Sequence, residues 1–117
     1  MSYLLLIVEP RGQREARSPQ EGEDAYAQMV RWGESLKARG VLQASESLRS
    51  DRDGQRVQVR AGKAVVRDGP FAEAKEMVGG FFLLSCASRA EALAIAESCP
   101  AAAWATVEVR EIAPCYA

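Results

Sequence analysis

The sequence predicts an α+β fold, because one order of elements occurs twice along the chain. A strand, a helix with an N-terminal cap and a second strand follow one another over residues 3–48 and again over residues 79–112. A β-hairpin and a charged turn motif stand between the two copies, over residues 56–76. This order is the split βαβ arrangement of a ferredoxin-like sandwich that carries an inserted hairpin.

The first copy opens with an apolar run and continues with a capped helix. Residues 3–8 are uninterrupted apolar residues, which predicts a central strand. Residues 9–17 break this pattern with Pro, Gly and charges, which predicts a surface loop. Ser18, Pro19 and Glu21 together predict a helix start with a capping box. The apolar residues that follow at three- and four-residue spacing are Tyr26, Met29, Val30, Gly33 and Leu36.

Gly40 predicts the end of this helix, and residues 41–48 predict the second strand. Trp32 lies beside the apolar stripe. It therefore belongs either at the edge of the core or in an interface between protomers.

The inserted hairpin is predicted from two runs separated by a short turn. Residues 56–60 alternate polar and apolar side chains, and residues 63–67 follow after only Ala61 and Gly62. The hairpin should have one apolar face, and its outward side should carry Arg residues.

The second copy is predicted from the same signals. Residues 79–86 form an apolar strand introduced by two glycines, which indicates a bulge or a close backbone approach. Ser88 and Glu91 predict a second capping box, and the Ala-rich helix that follows should stop before Pro100. Residues 106–112 alternate and predict the last strand.

Composition narrows the function classes. A length of 117 residues, 48% of them hydrophobic and 26% charged, predicts a single globular domain over residues 1–117. The net charge of −1 gives no general attraction for nucleic acid. No apolar run is long enough to span a bilayer and no secretion signal precedes the first strand, so we expect a cytoplasmic protein without membrane contact.

Cysteine usage argues against a metal or disulfide framework. The chain has three cysteines, no Cys-x-x-Cys pair and no His. Cys86 and Cys99 are predicted to be small buried side chains, and Cys115 to be accessible. No cofactor is predicted.

The most informative stretch is residues 68–76, which we call the turn motif. Gly69 is predicted to take a positive φ, Pro70 fixes its own φ, and Asp68 is suited to cap the turn. A turn between two strands is one interpretation. The charged residues after it favour a second, a site near the turn and near a dimer interface.

If the protein is an enzyme or a small-molecule binder, the turn motif should supply its polar groups. The predicted acid/base residues are Asp68, Glu73 and Glu76. The predicted ligand contacts are Glu46, Arg60, Phe71 and Lys75, of which Arg60 and Lys75 would clamp an anion. Glu46 has an alternative role as an internal partner of Arg60 across the sheet. The same three acidic residues are the alternative set for a divalent cation, although no metal site is predicted.

A second hypothesis is a regulatory protein without enzymatic activity. It would act through an exposed surface, either the Arg face of the hairpin with Arg56 and Arg60 or the side chain of Trp32. An Arg row on a strand is also typical of a solvated edge.

The turn motif resembles the signature of the DGPFAETKE family, within the YCII-related superfamily. All but one of its nine positions match, Ala74 standing where the family usually has Thr. The likeness extends to residues 3–8, 44–48, 79–82 and 108–110, although Glu111 replaces the usual Pro. The resemblance implies a ferredoxin-like protomer that dimerises into an α/β barrel.

Two further expectations follow from this resemblance. Many YCII-related proteins carry a His and Asp pair suspected of acid/base chemistry, which this chain cannot have because it contains no His. Members of the DGPFAETKE branch are often encoded near extracytoplasmic-function sigma factors, which implies a sigma factor as a partner. The order of elements separately predicts a homodimer, because two helices can cover only one face of the sheet.

Overall fold

The computed structural model describes all 117 residues and has six strands and three helices. The strands are β1 (Ser2–Pro10), β2 (Leu42–Ser47), β3 (Gln55–Arg60), β4 (Lys63–Asp68), β5 (Glu76–Ser85) and β6 (Thr106–Glu111). The helices are α1 (Gln13–Ala16), α2 (Pro19–Ala38) and α3 (Arg89–Glu97).

Four strands form one antiparallel sheet in the order β2-β5-β1-β6, and β3 pairs with β4 in a separate two-stranded sheet. Helix α2 connects β1 to β2, and α3 connects β5 to β6. The ferredoxin-like order with an inserted hairpin is therefore confirmed.

Both long helices begin at the predicted caps. Ser18 Oγ accepts from the Glu21 N–H, and the Glu21 carboxylate accepts from the Ser18 N–H, so this capping box is complete. Ser88 Oγ likewise accepts from the Glu91 N–H. The Glu91 carboxylate accepts from the N–H of Ala87 rather than Ser88, so the second box is only half formed. Gly40 follows α2 with φ of 74°, as predicted for a helix end.

The core lies between the two long helices and one face of the sheet. Alternate residues of β1 point to this face, and the corresponding residues of β5 pack beside them. The largest buried side chains of the core are Tyr3, Leu5, Ile7, Leu36, Phe82, Leu84 and Ile95. The half-buried residues of β1 and β5 that alternate with them, on the other face, include Leu4, Leu6, Phe81 and Leu83.

Trp32 lies at the edge of this core. Its ring meets the Phe82 ring edge to face with centroids 4.8 Å apart, and its Nε1 donates to Ser98 Oγ at 3.1 Å. Of its two predicted positions, the structure shows the core edge.

The predicted surface loop over residues 9–17 is wrong at both of its ends. β1 continues through Pro10, and α1 occupies Gln13–Ala16. Glu9 continues the alternation of β1 and is 7% exposed. The strand therefore ends at Pro10, two residues later than the apolar run predicts.

The two-stranded hairpin β3–β4, which we call the arm, projects from the domain. Ala61 and Gly62 have φ of 52° and 75°, as the tight turns that suit the strand twist require. The predicted apolar face exists, because Val57 pairs with Val66 and Val59 with Ala64. It is not buried, and every residue of the two strands is exposed.

The cysteines lie where the sequence predicts. Cys86 and Cys99 are buried and Cys115 is exposed, and all three are free thiols. Burial raises the pKa of the Cys86 and Cys99 thiols.

None of the helices combines the length and the apolar character needed to cross a membrane.

Candidate functional site

A cleft of about 690 Å³ opens between α2 and the helix-facing side of the sheet. Only the second half of α2 buries residues against the core, namely Gly33 and Leu36. Ahead of Gly33 no residue of α2 is buried, and Tyr26 and Val30 of its apolar stripe remain 59% and 40% exposed. The apolar and aromatic side chains that line the cleft are Ile7, Ala25, Tyr26, Met29, Val30, Leu42, Leu48, Phe82, Ala101 and Trp104.

Glu9 and Arg14 form an ion pair in the lining of this cleft. Glu9 is the one buried charged residue of the protein, at 7% exposure. Arg14 reaches back from α1, and its Nε donates to Glu9 Oε1 at 2.5 Å. A carboxylate this deeply buried needs a partner, and the guanidinium compensates its lost hydration.

Gly79 gives this ion pair its space. Ile7 pairs with Gly80 and Val8 with Val78, so Gly79 is the extra residue of a β-bulge in β5. A β-carbon at position 79 would lie 2.6 Å from Glu9 Oε2 and 2.9 Å from Arg14 Nη2. The sequence predicted that these two glycines mark a bulge or a close backbone approach, and the structure shows one of each. Gly79 forms the bulge, and a β-carbon at Gly80 would lie 2.9 Å from the Glu46 carbonyl oxygen.

Trp104 lines the cleft and is held by two side chains. The guanidinium of Arg17 lies 5.6 Å from its ring centroid, within the range of a cation–π contact. Gln13 Nε2 donates to the Trp104 carbonyl oxygen at 2.6 Å. The loop and α1 between β1 and α2 therefore position the polar and aromatic groups of the cleft together.

The turn motif lies elsewhere, at the root of the arm. The predicted positive φ at Gly69 is wrong, since the non-helical glycines with positive φ are Gly12, Gly40 and Gly62. Gly69 is needed for a close approach instead, because a β-carbon there would lie 1.7 Å from the Asp51 carbonyl oxygen. The Gly69–Pro70 peptide bond is cis.

Phe71 fills the centre of the motif. It is 5% exposed, and the guanidinium groups of Arg56 and Arg67 lie 3.8 Å and 5.2 Å from its ring centroid. Glu73 pairs with the same two groups, at 2.5 Å from Arg67 and 3.5 Å from Arg56. The hydrogen bond from Arg67 holds the pKa of Glu73 below its ordinary value. Both strands of the arm are thus joined to the motif at their base.

Arg11 ties the motif to the end of β1. Its Nη1 donates to Asp51 Oδ1 at 2.9 Å, its Nη2 pairs with Oδ2, and its Nε donates to the Ala74 carbonyl oxygen at 2.7 Å. Its backbone N–H donates to the Lys75 carbonyl oxygen at 2.9 Å. The hydrogen bond from Arg11 lowers the pKa of Asp51. Through these contacts Arg11 connects the end of β1 to the residues on either side of the arm, so its role here is structural.

The sequence matches the YCII-related domain over residues 1–115. The chain belongs to the YCII-related family. A stretch of 33 residues is 61% identical to an uncharacterized protein of Rhizobium meliloti (strain 1021); it covers 28% of this chain and 27% of that protein's length.

The fold of this YCII-related protein is similar to that of a solved enzyme. That structure is 5-chloro-2-hydroxyhydroquinone dehydrochlorinase (TftG) of Burkholderia phenoliruptrix AC1100, in complex with 2,5-dihydroxybenzoquinone. The TM-score is 0.55 at 21% sequence identity, over 97% of this chain and 94% of TftG. At 21% sequence identity, this similarity is evidence about the fold alone.

The structure of this YCII-related protein separates the residues that the sequence grouped into one site. Glu46 lines the large cleft. Phe71 and Glu76 line a shallower depression of about 460 Å³ at the root of the arm. Asp68 Oδ1 accepts from Gln55 Nε2 at 2.8 Å, within the arm. Glu73 is engaged by two arginines as described above.

The predicted anion clamp consists of exposed residues. Arg60 lies at the tip of the arm, and its Nη1 donates to the carbonyl oxygen of its neighbour Val59. Lys75 is exposed in the turn before β5. Neither side chain makes an ion pair, so Glu46 is not the partner of Arg60 in this protomer. No group of three His, Cys, Asp or Glu side chains converges as metal ligands.

Sequence reasoning missed Glu9, Arg14 and Trp104. One signal was present: Tyr3, Leu5, Ile7 and Glu9 share the period of two, which places Glu9 on the core face. A charged residue on the buried face of a strand is a candidate functional residue. Arg14 and Trp104 carried no such signal, because tertiary contacts alone bring them to the cleft.

Proposed function

We propose that this YCII-related protein binds a small molecule in the cleft between α2 and the sheet. The observation that carries the proposal is the buried carboxylate of Glu9, paired with Arg14, in a cleft that also offers apolar and aromatic side chains. A volume of about 690 Å³ lies within the range of about 300 to 1,000 Å³ typical of small-molecule sites. Apolar walls with a few convergent polar groups are the usual composition of such sites.

The lining favours a flat ligand with a polar edge. Phe82, Tyr26 and Trp104 offer aromatic surface to a ring. Glu9 would accept a hydrogen bond from a ligand hydroxyl or N–H, and Arg17 at the same end would offset negative charge. Any acid/base step on the ligand would fall to Glu9, since it is the carboxylate buried in the cleft.

The fold similarity to TftG supplies a first probe. TftG is in complex with 2,5-dihydroxybenzoquinone, a small ring with hydroxyl groups. We propose hydroxylated rings of this size as the first ligand class to examine. Binding of the probe would be measured by calorimetry with the wild-type protein and with a set of matched variants.

Two pairs of variants separate the cleft from the turn motif. Ala25→Phe places a ring into the cleft from α2, whereas Gln28→Phe adds the same side chain to an exposed position of α2 that does not line the cleft. We expect Ala25→Phe to abolish binding and Gln28→Phe to preserve it. Glu9→Gln should weaken binding about tenfold or more, the effect of losing one hydrogen bond to a charged group.

Variants of the turn motif test whether the ligand binds there instead of in the cleft. Glu73→Gln and Glu76→Gln should leave the affinity within about twofold, because neither side chain lines the cleft. If these two variants lose binding while Ala25→Phe retains it, the ligand site is at the motif and the proposed cleft is wrong.

Two finer assignments accompany the proposal. The turn motif supports membership of the DGPFAETKE branch, because only Ala74 departs from its signature.

The half-buried apolar residues Leu4, Leu6, Phe81 and Leu83 support a dimer that packs sheet against sheet into an α/β barrel. Sedimentation equilibrium would test this, and a stable monomer at micromolar concentration would count against it.

A sigma factor as partner stays a prediction. Its surface would be the exposed basic face of the arm. A purified extracytoplasmic-function sigma factor encoded nearby should bind the wild-type protein and lose binding to Arg60→Glu. Arg56 is a poor choice for this test, because it also holds Phe71.

A further inference from the structure

Arginines recur at every third position between β1 and α2, and only the last of them has no carboxylate partner. Arg11 pairs with Asp51, and Arg14 pairs with Glu9. Arg17 makes no ion pair, and its side chain donates no hydrogen bond within the protein. The charge of Arg17 is therefore left without a partner.

This guanidinium lines the ligand cleft. Arg17 is half-buried, and its guanidinium lies over the Trp104 ring, 5.6 Å from the centroid. A guanidinium that stacks on an aromatic face keeps the N–H groups of its planar edge available for a carboxylate. Because a half-buried charge is less hydrated than an exposed one, an anion beside Arg17 would be bound more strongly than an anion at an open surface.

The backbone on both sides of Arg17 is fixed. Its N–H donates to the Arg14 carbonyl oxygen at 3.3 Å, and the next residue, Ser18, caps α2. Glu21 does not neutralise Arg17, because its carboxylate accepts the Ser18 N–H. The pKa of Glu21 is lowered mainly by its hydrogen bonds with Ser18 and less by the charge of Arg17. The backbone of Arg17 therefore has little freedom to lose when a ligand binds.

The other charged residues of the cleft lining do not offset this charge. Glu34 and Lys37 are exposed on the second half of α2. Glu46 stands opposite Phe81, whose side chain lies on the open face of the sheet, so the Glu46 side chain points there as well. Glu46 thus lines the cleft through its backbone. Arg17 is the half-buried cation of the cleft that no acidic side chain balances.

We propose that Arg17 selects ligands that carry a carboxylate, so that the ligand class of the cleft is an aromatic ring with a carboxylate and a hydroxyl group. This proposal rests on the small-molecule site proposed above and specifies what that site prefers. A planar carboxylate accepts two parallel hydrogen bonds from the guanidinium fork. One unpartnered cation also matches the single charge of a carboxylate better than the charge of nearly two that a phosphate monoester carries.

The first test compares two ligands that differ in the charge of one group. The probes are para-hydroxybenzoate and para-hydroxybenzamide, which share the ring, the hydroxyl group and a planar substituent. Calorimetry should show that wild type binds the acid at least about tenfold more tightly than the amide, the effect of a hydrogen bond between charged groups. In Arg17→Gln this preference should fall below about twofold.

Arg31→Gln is the matched control for this test. Arg31 is an exposed arginine of α2 that does not line the cleft and makes no ion pair. The substitution removes the same charge from the protein, so a general effect of net charge would appear in both variants. We expect Arg31→Gln to keep the full preference for the acid.

The second test uses the wild-type protein alone, so it decides the question even if Arg17→Gln is unstable. In an NMR titration with para-hydroxybenzoate, the Arg17 Nε–H resonance should shift and saturate together with the amides of Gly79 and Gly80, which line the cleft. With para-hydroxybenzamide the two glycine amides should still shift, and the Arg17 resonance should move less.

Three results would overturn the proposal and leave the ligand cleft in place. They are equal affinity for the two probes, a preference for the acid that survives Arg17→Gln, and a response of the cleft glycines to the acid without a response of Arg17. Failure of the proposed function looks different, because neither probe would then shift the cleft glycines. The selectivity assigned to Arg17 would be wrong in that case as well.

Discussion

The carbonyl oxygen of Asp51 lies where a side chain at position 69 would begin: a β-carbon on Gly69 would be 1.7 Å away from it. The same Asp51 accepts hydrogen bonds from Arg11 through its carboxylate. One residue therefore fixes the turn through its backbone and the end of β1 through its side chain. This relationship gives the glycine of the turn motif a structural reason.

Gly69→Ala should strongly destabilise the fold. The atom in the way belongs to the backbone, so it cannot move aside as a side chain would, and we expect a loss of about 2 to 4 kcal/mol in the free energy of unfolding. Urea denaturation measures this. Gly22→Ala is the control, because a β-carbon on this α2 glycine meets nothing within 4 Å and should stabilise by about 0.5 to 1 kcal/mol. Equal effects at the two positions would contradict the close approach.

Phe71→Leu should loosen the arm more than it unfolds the domain. Leucine keeps an apolar side chain at a 5% exposed position but removes the ring that Arg56 and Arg67 flank. We expect a loss of about 1 to 2 kcal/mol, less than the 3 to 5 kcal/mol typical of Phe→Ala. The diagnostic readout is ¹⁵N relaxation of the Gly62 amide at the arm tip, which should report faster motion in the variant. An unchanged order parameter there would show that Phe71 does not hold the arm.

Stability should fall in acid partly through Asp51. Its folded pKa lies below the ordinary 3.8, mainly because Arg11 donates a hydrogen bond to it. The ionised pair therefore stabilises the fold above pH about 4, and this contribution is lost as the pH falls through the lower folded pKa. Asp51→Asn leaves the backbone carbonyl in place and removes only the charge.

The measurement is the urea midpoint of wild type and Asp51→Asn from pH 7 downward. Wild type should be the more stable protein at neutral pH, and the difference should narrow below pH about 4. Glu73 and Glu21 also have lowered pKa values, so some acid sensitivity remains in the variant. A difference that stays constant down to the acid transition would mean that the Arg11–Asp51 pair is not linked to folding.

The two glycines of β5 should respond differently to alanine. A β-carbon at Gly80 meets the Glu46 carbonyl oxygen at 2.9 Å, a backbone atom in the neighbouring strand. Gly80→Ala should thus cost about 1 to 3 kcal/mol. At Gly79 the obstacles are the side-chain ends of Glu9 and Arg14, which can shift. Gly79→Ala should therefore displace these two side chains of the cleft and destabilise the fold little. We expect a lower affinity for the probe and a nearly unchanged urea midpoint.

One thiol of three should react in the native protein. Cys115 is exposed, whereas burial raises the pKa of Cys86 and Cys99 and hides both from a reagent. Titration with an aromatic disulfide should release one equivalent quickly and the other two only in denaturant. Rapid reaction of Cys86 or Cys99 would show that the helix layer opens.

The sequence predicted the fold well because its signals were local. Caps at Ser18 and Ser88, the apolar run of β1 and the period of two in β6 define the elements, and their order defines the topology. The candidate site was harder to predict, because it depends on tertiary contacts. The cleft lies beside the part of α2 ahead of Gly33, where no residue of the helix is buried, and no local pattern encodes this. The carboxylates of the turn motif were conspicuous in sequence, yet Asp68 and Glu73 have internal partners.

The most direct test of the ligand cleft is an NMR titration that uses the glycine amides as reporters. Gly22, Gly33, Gly79 and Gly80 line the cleft, while Gly69 belongs to the turn motif and Gly62 to the arm tip. With 2,5-dihydroxybenzoquinone and a library of hydroxylated rings, the cleft glycines and the Trp104 indole should shift together and saturate. Shifts confined to Gly69 and its neighbours, or none with any member of the library, would contradict the proposed site.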